Sequence, residues 1–92
     1  MIAIDTNLLV YAHRAATPEH RAAQEAIERA ASDPRGWGIA MPSVGEFWMV
    51  VTHASSVGGP STGAQARGFL EALRVQGGMK VFLPNRSLPE RL

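Results

Sequence analysis

The chain has 92 residues, nine basic and eight acidic, for a formal net charge of +1, and 46% of them are hydrophobic. That supports one domain at most, of marginal size, and leaves no excess of charge to hold nucleic acid or a charged membrane by field alone. It has no cysteine, which excludes a disulfide scaffold, a zinc–thiolate site and cysteine catalysis.

The longest apolar stretch, Phe47–Val51, is far below the ~20 residues that span a bilayer. The N-terminus has no basic region and no small-residue cleavage site. A cytoplasmic protein with no membrane contact is the expectation. From Arg67 onward five basic residues face two acidic ones. This segment reads either as a phosphate-contacting surface or as an ordinary solvated one.

In chain order, Met1–Ile4 is a short apolar run ending at Asp5 and predicts a buried strand. Residues 7–13 suit a short helix. Thr17-Pro18-Glu19 predicts a second helix start, with Thr17 as cap and Pro18 in the first turn. Ala23, Ile27 and Ala30 share one face, and Ser32-Asp33-Pro34-Arg35-Gly36 ends the helix. Trp37–Met41 predicts a second strand. Ser43-Val44-Gly45-Glu46 matches a capping box, with Ser43 as N-cap and Glu46 at N3 of a helix running to about Ala54. Thr62-Gly63-Ala64-Gln65 is a second match, opening a helix with Ala66, Phe69, Leu70 and Leu73 as its stripe. Gly77-Gly78 ends it, and Met79–Leu83 predicts a third strand. Strands alternating with helices predict an α/β fold, a parallel sheet with helices on both faces.

Ligands in open parallel sheets bind beyond the carboxyl ends of the strands. Asp5 falls at the end of the first strand and Glu46 on the helix after the second. Two convergent carboxylates suit Mg2+ or Mn2+, which take oxygen ligands and activate water for phosphodiester cleavage. Ser43 would add a hydroxyl, and Thr6 and Asn7 would hold the Asp5 carboxylate. The plainer readings are that Glu46 closes its capping box and Asp5 caps the helix that follows it. The histidines offer no zinc spacing. Trp37, Phe47, Trp48 and Phe69 sit at core spacing. Asn7 stands where a haloacid-dehalogenase-type phosphatase needs its second aspartate, and Leu83-Pro84 where a receiver domain needs its phosphoacceptor.

The opening run Ile2-Ala3-Ile4-Asp5-Thr6-Asn7-Leu8-Leu9-Val10-Tyr11-Ala12 resembles the first motif of PIN domains, and Met41-Pro42-Ser43-Val44-Gly45-Glu46-Phe47 resembles their second. Tyr11-Ala12-His13-Arg14, Val51-Thr52-His53 and Met79–Pro84 look like VapC toxins of toxin–antitoxin modules. The resemblance covers the chain to about Pro84, with motif segments 1–14 and 37–54. It implies a PIN-like three-layer fold and an Mg2+- or Mn2+-dependent endoribonuclease toxin of a bacterial type II system. A cognate antitoxin silences such a toxin, and a homodimer is common. Asp5 and Glu46 would be catalytic residues and metal ligands, supported by Thr6, Asn7 and Ser43. The family continues with a further helix, a third acid and a fourth strand. Residues 1–92 therefore read as a single partial PIN domain that ends before the third acidic motif, its tail offering Glu90 alone. The alternative is a catalytically inactive truncated remnant acting as an antitoxin-binding or dimerising module.

Two expectations follow for the surface. Phe47, Val50, Val51 and Ala54 of the third helix and Phe69, Leu70 and Leu73 of the fourth exceed what three short strands cover. A missing strand beside Met1–Ile4 would leave three or four backbone groups unpaired at the sheet edge.

Overall fold

The structure, a computed structural model, describes residues 1–56 and 58–83. Three strands, β1 (Ile2–Ile4), β2 (Trp37–Ala40) and β3 (Lys80–Phe82), form a parallel sheet in the order β1-β2-β3. Four helices connect them: α1 (Thr6–His13), α2 (His20–Ala31), α3 (Met41–Thr52) and α4 (Gly63–Val75). This is the small α/β arrangement that the alternating pattern predicts, with the elements in the expected order.

The register pairs Ile4 with Ile39 and Ile39 with Val81, so the carboxyl ends of all three strands lie on one side. Ile2, Ile4, Trp37 and Ile39 share a sheet face by strand alternation. Ile4, Trp37 and Ile39 are buried there. The opposite face carries Ala3 and Lys80, both exposed, so cover on both faces holds at Gly38 but not at those two positions. Gly38 sits between Ala3 and Lys80, and a Cβ added to it would lie 2.3 Å from the Lys80 carbonyl oxygen. No other residue fits at that approach.

The core joins sheet and helices through Leu9 and Ala12 of α1, Ala23, Ile27 and Ala30 of α2, Phe47 and Val51 of α3, Ala66 of α4, and Met79. The α2 stripe is the one its 3.6-residue spacing predicts. Leu9, Ile39, Phe47 and Val51 are fully buried, each contributing about 1.5–3 kcal/mol relative to exposure. Trp37 is buried too, and its indole N–H donates to the Gly77 carbonyl at 2.6 Å. That bond satisfies the one polar atom of the ring and ties β2 to the turn before β3. The turn itself depends on Gly78 at φ +72.

Two helix starts differ from expectation. Thr17 does not cap α2, because its hydroxyl donates back to the Arg14 carbonyl at 2.8 Å and closes a separate turn. The helix begins at His20, with Glu19 as its flanking residue and no side-chain cap. Likewise α3 begins three residues early. Ala40, the last residue of β2, is its N-cap, and Pro42 stands in its first turn. The strand passes directly into the helix, so Ser43 lies inside the first turn and caps nothing. Thr62 does cap α4: Gln65 N donates to Thr62 Oγ1 at 3.0 Å and Thr62 N donates to Gln65 Oε1 at 2.8 Å.

Among the described residues β1 is an edge strand. Ile2 N donates to the Gly36 carbonyl at 3.0 Å, which turns Ile2 and Ile4 toward β2 and leaves Ala3 to face the open edge. Ala3 is exposed, so its N–H and C=O meet water. The expected loss of three or four bonds shrinks to one solvated pair.

Candidate functional site

At the carboxyl edge of the sheet, Asp5 has the extended conformation of a helix cap, and its Oδ1 accepts from Leu8 N at 2.9 Å. This satisfies one of the free amides at the start of α1. The next residue, Thr6, donates through its hydroxyl to Glu46 Oε1 at 2.7 Å. Since α3 begins at Met41, Glu46 falls in its second turn, where it reaches across to α1 instead of closing a capping box on Ser43. The structure thus brings Thr6 and Glu46 together and sets Asp5 beside them in the chain. Ser43 stays half-buried in the first turn of α3. Asn7 is exposed and lines a cleft of about 520 Å³ along β1 with Asp5, Leu8 and Arg29.

This edge does not make a metal centre. Among the described residues no three histidine, cysteine, aspartate or glutamate side chains group closely enough to hold a metal ion. One oxygen of each carboxylate is already engaged, Asp5 by an amide and Glu46 by a hydroxyl. Mg2+ demands near-ideal octahedral geometry and gives up its waters reluctantly, so carboxylates that bind it must converge with oxygens free. The expected Mg2+ or Mn2+ cofactor is therefore withdrawn. With it goes the expected function, a metal-dependent endoribonuclease toxin. Glu90 lies outside the described residues.

Each histidine is held by local contacts. His53 is the C-cap of α3. It ends α3 in an extended conformation, and its Nδ1 accepts from Ser55 N at 3.0 Å. His20 Nδ1 lies 2.8 Å from the Tyr11 carbonyl. His13, at the end of α1, packs between two rings, with centroid distances of 5.4 Å to Phe47 and 4.7 Å to Phe69. Its Nε2 lies 2.9 Å from Ser61 Oγ, which also accepts from Arg14 Nη1 at 2.8 Å. Arg14 Nη2 donates to the Gly59 carbonyl as well. Burial holds the His13 pKa below its ordinary 6.5, and the nearby Arg14 and His20 lower it further. Nothing in the sequence announces this cluster, because its members are 47 and 48 positions apart.

Of the aromatic residues, Trp37 and Phe47 are core, as their spacing predicts, and Phe69 packs against it. Trp48 is 38% exposed and lies over the start of α4, where a Cβ on Gly63 would come within 3.2 Å of its ring. In the basic segment, Arg74 is engaged with Glu71 at 2.9 Å. Arg86 and Arg91 lie outside the described residues.

The outer side of α3 is the apolar feature of the surface. Met49 is 72% exposed and Val50 47%, with Met41 and Trp48 beside them in the same helix. Phe47 and Val51 are fully buried, so the expected apolar excess resides in Met49 and Val50 instead. A groove of about 550 Å³ runs between this helix and α1, lined by Met49, Val50, Val10, Tyr11, Arg14 and Ser56 among others.

No protein-family model matches the chain, and no curated protein matches it. Among the described residues, no helix is long and apolar enough to cross a membrane.

Proposed function

We propose that this chain is a PIN-like module that works by binding another protein through its third helix. The reading rests on one observation. Met49 and Val50 stand exposed beside a groove whose other wall is Val10 and Tyr11 of α1. Contiguous apolar surface of this kind marks an interaction site more often than a bare face. A groove between two helices suits an amphipathic helix laid along it, anchored at i and i+3 or i+4. The partner is of the antitoxin type, an amphipathic helix, or the same face of a second copy.

The PIN-like part of the proposal draws on the motif resemblance of Ile2–Ala12 and Met41–Phe47. It is supported by the parallel order of three strands with Asp5 and Glu46 near one edge. Self-association is the form that the chain alone can test. Light scattering over a range of concentrations should show a dimer. The double substitution Met49→Lys, Val50→Glu should return it to a monomer with its fold intact by circular dichroism. A wild-type chain that stays monomeric at its highest soluble concentration overturns the self-association.

A further inference from the structure

Between α3 and α4, Ser61 is fastened from two directions, and Arg14 also holds the Gly59 carbonyl close to it. Ser61 N donates to the Val51 carbonyl at 2.7 Å, holding it to the end of α3. Ser61 Oγ meets His13 Nε2 at 2.9 Å and Arg14 Nη1 at 2.8 Å, holding it to the end of α1. A serine hydroxyl has one proton to give and two lone pairs to accept with. A neutral His13 protonated on Nδ1 accepts the Ser61 proton at Nε2, and Arg14 donates to the lone pair. The Ser61 hydroxyl then both donates and accepts. An imidazolium has no lone pair at Nε2, so two cations would converge on one uncharged oxygen.

Among the described residues the surroundings offer no compensation to that charge. From its own helix end the ring faces Arg14, from α2 it faces His20, and α3 and α4 present the Phe47 and Phe69 rings. Gln65 of α4 lines the adjoining cavity and is neutral.

We propose that His13 is a proton-operated latch, holding Ser61 against the ends of α1 and α3 when neutral and releasing it when protonated. Histidine is the side chain whose ordinary titration falls in the physiological range. Ser55 and Ser56 of the same loop line the groove beside α3. The latch stands whether or not that groove binds a partner.

The test is an NMR titration of the full chain between about pH 8 and pH 5. It follows the His13 ring together with exchange of the Ser61 amide, corrected for the intrinsic pH dependence of exchange. Ser61 protection should fall in step with His13 protonation. The fall should be about tenfold for each unit by which the closed latch lowers the ring's pKa. In His13→Asn the step should vanish. In Ser61→Ala the Gly58 and Gly59 amides should exchange rapidly at every pH. Ser61 protection that does not follow the His13 titration overturns the latch, as does the same step persisting in His13→Asn. If His13→Asn does not fold, the wild-type titration and Ser61→Ala decide.

Discussion

The Thr6 hydroxyl donates to Glu46 Oε1 at 2.7 Å, joining the first turn of α1 to the second turn of α3 across 40 positions. It links the two helices at the sheet edge, above the core that Leu9, Ala12, Phe47 and Val51 share. Thr6→Val should lower stability by about 0.5–1.5 kcal/mol, and Glu46→Gln by less, because the amide oxygen still accepts. Denaturant midpoints at constant slope check both. Equal losses from the two substitutions would show that the charge, not the hydrogen bond, matters there.

Asp5 and Ser43 give opposite results under the same change. Asp5→Ala removes the cap of α1 and should cost about 0.5–2 kcal/mol, while Asp5→Asn should retain most of it. Ser43→Ala should cost less than about 0.5 kcal/mol, since Ala40 occupies the cap position. Thr62→Ala, which breaks a complete capping box, should cost about 1 kcal/mol. A large loss at Ser43 would place the start of α3 wrongly.

Glycines separate into two groups. Gly38→Ala drives a Cβ against the Lys80 backbone and should destabilise by at least about 1–3 kcal/mol, parting β2 from β3. Gly45 and Gly68 lie within α3 and α4, and a Cβ on either meets nothing within 4 Å. Gly45→Ala and Gly68→Ala should each stabilise by about 0.5–1 kcal/mol, as an alanine loses less freedom on entering a helix. Thermal unfolding of the three variants checks the contrast.

Divalent metal should leave stability unchanged. A site filled at a hundred times its dissociation constant would add about 2.7 kcal/mol, a shift on the order of 10–20 °C in a domain of this size. Unfolding midpoints with and without millimolar Mg2+ or Mn2+ should agree. A saturable rise that Asp5→Asn abolishes would restore the metal site.

Stability should fall in acid through His13. Its folded-state pKa is lowered, so the unfolded chain binds the proton more readily. The contribution is fully present above the unfolded value near 6.5 and is lost as pH drops below it toward the folded value. Urea midpoints should decline over that window in the wild type and less so in His13→Asn. Parallel curves would assign the decline to other groups.

What the sequence determined by itself is local. The α2 stripe, the Thr62 capping box and the Asp5 cap each depend on residues within a turn or two. Spacing along the chain states them completely. Alternation of strand and helix gave the parallel sheet for the same reason, since crossovers of that length join parallel strands. The tertiary structure decided the rest. The end of β2 at Ala40 runs straight into α3, and this moved the helix start off Ser43 and carried Glu46 out of its capping box to Thr6. Packing of α1 against α3 and α4 placed His13 beside Ser61 and between Phe47 and Phe69. Neither arrangement follows from spacing, because each joins residues some 40 positions apart whose approach is set by how three helices share one core. Thr6, the neighbour of Asp5, meets Glu46 at the sheet edge. Yet nearness of two carboxylates is not a metal site, and the number of ligands is a property of the packed edge alone.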